Sequence, residues 1–249
     1  MEELLVIIGA KYIKHRKEIT QMSLNANKVV SSEFKQQEAL EVGTYAARVV
    51  QVLDLGVQAQ RPYKGEEKPP VHEVMLTYEL TEEFMKDDDG EDIEDKPRFI
   101  SETFPFRSLQ SDLAKSTKRY RALDPEEKFG GDFTLLIGSP CNVTVTQNEG
   151  KNGRIYNNIS GISPMQSSKA KGLPELINEP KVFLMDSPDP EVFESLPEWI
   201  QEKMKSNINF EGSPLQATLS GKPITPKDEE KEDDVPDFDD EDDADASPY

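Results

Sequence analysis

The stretch PCNVTVTQNEGKNGRIYNNISGI, residues 140–162, decides the fold class. Cys141, Val143 and Val145 alternate with polar neighbours, as a half-buried strand requires, and the glycines of NEGKNG suit a tight turn. After that turn Ile155, Asn157 and Ile159 fall on one face and Tyr156 and Asn158 on the other. A period of two on both sides of a turn reads as an antiparallel hairpin, so the surrounding domain is built from strands.

Three more strands precede it. GTYAARVVQVLDLGVQ, from Gly43, is β-rich and long enough to bend through a barrel corner. A loop, AQRPYKGEEKPP, separates it from HEVMLTYELT, where Val74, Leu76, Tyr78 and Leu80 alternate with Glu73, Met75, Thr77 and Glu79. The acidic run 82–95 is expected as a long solvated loop leading into RFISETFPF, with Ile100 and Phe104 opposite Phe99, Ser101 and Thr103. Between the third and fourth strands, SLQSDLAKSTKRYRALDP places Leu109, Leu113, Thr117, Tyr120 and Leu123 at helical spacing. Ser108 suits an N-cap there, and Pro125 stops the run. Three strands, a helix and two strands is the chain order of a five-stranded OB-like barrel, a fold that binds oligonucleotides across its second and third strands and the flanking loops.

Beyond residue 165 the chain changes character. SSKAKG reads as a linker, and DPEVFESL and PEWIQEKMKSN as helical pieces. Phe193, Leu196, Trp199, Ile200 and Met204 form an apolar stripe that must cover the barrel or a partner. From about Leu219 apolar periodicity ends, and disorder is expected. The organisation is an N-terminal extension (1–39), a β-domain (40–165), a helical appendix (166–218) and an acidic tail (219–249). Met22 begins MSLNANKVV, which reads as a natural start, so residues 1–21 are expected to have no role of their own.

The net charge of −20 is uneven along the chain. Residues 82–95 carry −8 and residues 226–249 carry −11, leaving about −1 for everything else. A near-neutral body can still present a basic groove, so the acidic balance does not exclude nucleic acid. The lone Cys141 excludes an internal disulfide and any multi-cysteine zinc site, and a reducing cytoplasmic setting fits. DDDGEDIED lacks the acid spacing of a calcium loop, since position one counted back from Gly90 is Met85. No phosphate-binding glycine loop, HExxH or nucleophile elbow occurs, and His15 and His72 stand far apart in sequence. No cofactor, metal or catalytic residue is expected, and His72 reads as a loop-edge residue.

The segments QRPYKGEEKPP, ISETFPF, DLAKSTKRY and LIGSPCNVTVTQNEGKNGRIYNNISGISPM together resemble the single-stranded DNA-binding proteins of tailed-phage replication modules, over roughly residues 40–210. The resemblance implies an OB fold and an acidic C-terminal tail. It also implies a role in coating single strands during phage replication and recombination in the host cytoplasm, and recruitment of a polymerase, helicase or primase. The chain departs from the better known tail ending, a terminal phenylalanine after acids. Its end is DASPY, so the handle would be Asp237, Phe238, Asp239, Asp240 and Tyr249.

Single-strand binders need cations along the phosphate path and aromatic faces for bases. Lys115, Lys118, Arg119 and Arg121 put four charges within seven residues of the helix, either a binding face or a solvated one. Tyr63, between Arg61, Pro62 and Lys64, suits stacking with phosphate contact. Phe99 and Tyr156 serve as platform or as core. Arg48, Lys151 and Arg154 are further cation candidates. A rival function is an acidic DNA mimic or chaperone-like protein that grips basic partners through its two acidic runs.

Overall fold

The computed structural model describes residues 38–151 and 153–221. The expectations placed on residues 1–37, on Asn152 and on residues 222–249, including the tail handle at Asp237, Phe238, Asp239, Asp240 and Tyr249, lie outside them.

The described chain is mainly β. Its strands are β1 (Gly43–Gln58), β2 (Val71–Lys86), β3 (Asp92–Pro105), β4 (Pro140–Glu149), β5 (Ile155–Pro164) and β6 (Lys181–Phe183). The helices are α1 (Lys115–Leu123), α2 (Ser167–Ala170), α3 (Pro190–Glu194), α4 (Glu198–Lys205) and α5 (Pro214–Leu219), with a 3₁₀ turn at Phe133–Leu136. The strands form one sheet in the order β3-β2-β1-β4-β5, with β6 added alongside β1. Where a five-stranded OB-like barrel was expected, the strands form an open six-stranded sheet. β3 and β5 approach each other without a hydrogen-bonded ladder, and α1 packs against both.

The length of β1 explains this topology. Residues 43–48 pair with β4 and residues 47–58 with β2, so the two partners overlap only at Ala47 and Arg48. Past Arg48 the edge that β4 leaves is taken by β6, parallel, at Gln51, Val52 and Leu53. A bulge between Val49 and Gln51 lets Val49 and Val52 both face inward, while Leu53 and Leu55 face the other side. The sheet therefore has two cores. The inner one packs Val74, Leu76, Tyr78 and Leu80 of β2 and Ile100 and Phe104 of β3 against Cys141, Val143 and Val145 of β4, with Tyr120 and Leu123 of α1 beside them. The outer one packs Leu53, Leu55 and Met75 under Phe183, Met185, Phe193, Leu196, Ile200, Met204 and Leu215. The helical appendix is thus docked on the sheet, and of its expected stripe only Trp199 stays out, 56% exposed.

Three local expectations are corrected. The acidic run is no loose loop: β2 continues to Lys86, β3 starts at Asp92, and only residues 87–91 turn, with Asp87 Oδ1 accepting the amides of Asp89 and Glu91. Phe84 opposite Pro97 and Met85 opposite Ile93 supply the apolar pairs that hold this ribbon. The helix starts at Lys115 rather than after Ser108, whose hydroxyl instead accepts the Gln110 amide in a local turn. Leu113, expected on the buried stripe, lies in that turn and is exposed. β5 carries an extra residue near Ser160, since Thr144 faces Gly161 while Val145 faces Ile159. Only Ile159 and Ile162 of its apolar residues pack on the core, and Ile155 is exposed.

Candidate functional site

The structure sorts the expected binding residues into those it buries and those it presents. Arg48 is buried: its guanidinium donates to the carbonyls of Gly138 (2.8 Å), Leu173 (3.0 Å) and Pro174 (2.7 Å), with Glu175 at 3.4 Å. Its cross-strand neighbour Glu79, also buried, accepts the amides of Ile177 (2.7 Å) and Asn178 (3.1 Å) and the Asn178 side chain (2.8 Å). One cation and one anion, side by side, clamp residues 173–178 over the outer face by their backbone groups. Arg48 is therefore withdrawn as a ligand contact.

Arg119 is withdrawn too. It forms a bidentate pair with Glu102 (2.7 and 3.1 Å), which also accepts the Tyr78 hydroxyl (2.9 Å) and meets Lys115 Nζ at 3.0 Å. This network ties α1 to β2 and β3, and sequence spacing placed Arg119 with the solvent-facing charges because it follows Lys118 directly. Burial first, then the neighbouring Glu102 charge, pushes the Tyr78 phenol well above its ordinary range. Burial likewise pushes the Cys141 thiol up to about 12, so it is no nucleophile at neutral pH. Of the four α1 cations, Lys118 and Arg121 face outward, with Arg121 held by Asp112 (2.8 Å) and the Leu109 carbonyl, while the partly exposed Lys115 turns its ammonium onto Glu102.

The loop between β1 and β2 presents Tyr63 more firmly than composition implied. Tyr63 and Glu66 exchange backbone hydrogen bonds (2.9 and 3.0 Å) around Lys64 and Gly65, both at positive φ, which makes a two-residue hairpin turn. Gln60 closes the base of the loop by donating to the Pro69 carbonyl. The exposed Tyr63 ring then carries the Lys64 and Lys68 ammonium groups at 5.1 and 4.9 Å from its centroid, beside the exposed Arg61. Phe99 on β3 and Tyr156 on β5 are exposed, which fits the platform alternative rather than the core one. Lys151 and Arg154 lie exposed at the β4–β5 turn, away from the β1–β2 loop in the sheet order.

Sequence reasoning missed three features. Lys68 belongs to the Tyr63 loop but stands five residues on. Arg107 and Phe106 are exposed at the end of β3, where Phe106 packs edge-on against His72 and Phe133. His72 stands at the loop edge as expected, the second residue of β2, but its Nε2 lies 2.6 Å from Asp54 Oδ1. Asp54 also accepts the amides of Gly56 and Met185, joining β1, β2 and the appendix at one carboxylate. The hydrogen bond to Asp54 raises the His72 pKa against the opposing effect of burial. Burial disfavours the Asp54 charge, but the bonds from His72, Gly56 and Met185 outweigh it and hold that pKa below its ordinary value. A cavity of about 480 Å³ opens beside this node, lined by Asp54, His72, Asp186, Asn207 and Glu211 among others. Among the described residues no group of three or more His, Cys, Asp or Glu is placed to hold a metal ion, and no helix is long and apolar enough to cross a membrane.

The β1–β2 loop and the end of β3 each present an exposed aromatic beside an exposed arginine or lysine, Tyr63 and Phe106, and α1 adds the exposed Lys118 and Arg121, while Phe99, Tyr156 and Trp199 are exposed elsewhere. Compared with protein-family models, with curated proteins and with solved structures, the chain matches none.

Proposed function

We propose that this protein binds single-stranded DNA without catalysing a reaction on it, as a coating protein of phage replication and recombination. The observation that carries the reading is Tyr63, held out on a tight turn with two lysine ammonium groups about its ring: an aromatic face for a base and charges for the adjoining phosphates. The sheet order supports it, because β1 paired with both β2 and β4 is the arrangement an OB barrel has when opened between its third and fifth strands. The acidic tail, 13 acids within residues 226–249, competes for the cations when DNA is absent and recruits a polymerase, helicase or primase when DNA displaces it.

Fluorescence anisotropy with labelled oligo-dT and with a duplex of equal length tests the reading. Preference for the single strand, with an affinity that falls steeply with salt, is expected. Equal or absent binding to both would refute it. Deleting residues 226–249 should tighten binding at low salt.

One observation favours the rival, a protein that grips basic partners: the acidic run 82–95 lies on an ordered β-ribbon rather than on a loose loop. Reversing Lys118 and Arg121 separates the two readings, since it abolishes DNA binding in the first and leaves capture of a basic partner intact in the second.

A further inference from the structure

We infer that the bound strand leaves the β1–β2 loop over Phe106 and Arg107 and continues along the outward face of α1, with Arg107 as a phosphate contact, instead of crossing the outer face of β2. The inference rests on the single-strand reading above and deepens it.

Two observations meet here. The first is exclusion. The outer face of β2 offers Met75, Thr77 and Glu79, and two of these are occupied: Met75 belongs to the outer core, and Glu79 is closed by the amides of Ile177 and Asn178. A strand crossing β2 there would have to break the Arg48 and Glu79 clamp and uncover buried apolar surface.

The second is continuity. The Phe106 amide donates to the His72 carbonyl (2.7 Å), which places Phe106 at the foot of the loop that carries Tyr63. The next residue, Arg107, donates its amide to Ser116 Oγ (3.1 Å), and Thr117 Oγ1 donates to the Ser108 carbonyl (3.2 Å). Residues 107–108 are thereby fastened to the first turn of α1. Ser116 and Thr117 turn inward to make these bonds, so Lys118 and Arg121 face out, while the Lys115 ammonium rests on Glu102. Arg107 is exposed and sits where the loop's aromatic and cations would otherwise be separated from those of the helix. With Arg119 committed to Glu102, Arg107 supplies the charge that makes one track from Tyr63 to Arg121.

The test titrates the full chain with labelled oligo-dT across a range of KCl. R107A should weaken binding by about three- to tenfold and lower the slope of log affinity against log salt by about 0.7, the share of one phosphate contact on a single strand. R107K should restore most of the slope. K205A, a charge on the outer layer over Phe193, should move neither quantity. Thermal unfolding of R107A should match the parent, because the bonds at this position are made by the backbone. Parent-like affinity and slope in R107A, or an equal loss in K205A, overturns the track while leaving single-strand binding in place. A parent chain that does not bind oligo-dT overturns both.

Discussion

The two faces of the β1–β2 ribbon are built by different means. The inner face is closed by side chains that alternate along the strands, Val74, Leu76, Tyr78 and Leu80 on β2, packed on residues from β3, β4 and α1. A charged pair, Glu102 with Arg119, is shielded among them. The outer face is closed by chain more than a hundred residues downstream of β1, and polar side chains do much of the holding: Arg48 and Glu79 by the backbone of 173–178, Asp54 by the amide of Met185. An apolar face tolerates any well-shaped cover, whereas hydrogen bonds to named backbone groups fix one segment in one register. The consequence for function is that the outer layer decides which surface remains open to a ligand.

The contrast can be broken by substitution. The largest expected effect is E102A on the inner face, which strands buried Arg119 and the Tyr78 hydroxyl and should cost about 3–5 kcal/mol by chemical denaturation, with all probes losing structure together. On the outer face E79Q keeps an acceptor but loses the charge, and should cost about 1–3 kcal/mol. Its signature is local: hydrogen exchange at residues 173–185 should accelerate ahead of β2 and β4. Uniform acceleration would show that the two layers are one cooperative unit.

A smaller effect belongs to the seam between the layers. Because His72 titrates above its ordinary value near 6.5 when folded, its contribution is fully present below that pH and is lost as pH rises through the raised value. Asp54, held below its ordinary value near 3.8, contributes above it and is lost as pH falls through the lowered value. Thermal stability should therefore decline from pH 6 to pH 9, and H72Q should flatten that decline. An unchanged slope in H72Q would remove the seam from the account. The smallest effect on stability is expected for K118A with R121A, within about 0.5 kcal/mol, since both charges face solvent. The same variant should weaken oligo-dT binding several-fold.

Much of the inner layer was legible in the residues. Cys141, Val143 and Val145 and the inward residues of β2 follow from a period of two, because a strand packed on one side must alternate, and the extent of β1 follows from its β-rich composition. Helix onset was not legible: Leu109 and Leu113 continue a helical spacing, but the hydroxyls of Ser108, Ser116 and Thr117 bind local backbone instead and delay the helix to Lys115. The ribbon at 82–95 was hidden by its acids, since cross-strand pairs such as Met85 with Ile93 become visible only once register is known.

The candidate site divides in the same way. Composition was enough to single out Tyr63 with Arg61 and Lys64, because a proline-bounded loop has nowhere to bury them, but not Lys68. It could not tell Arg119 from Lys118, adjacent in sequence, since one residue of helix turns a side chain by about 100° and the carboxylate that claims Arg119 comes from another strand. Alone, then, the sequence determined the strand-rich body, its alternating inner face and the uneven distribution of charge, all of which are local in the chain. Tertiary structure decided that the sheet stays open, that Arg48 and Arg119 are internal braces, and that the Arg107 backbone is tied to the first turn of α1. Each of these depends on groups separated in sequence, and only the fold sets their distances.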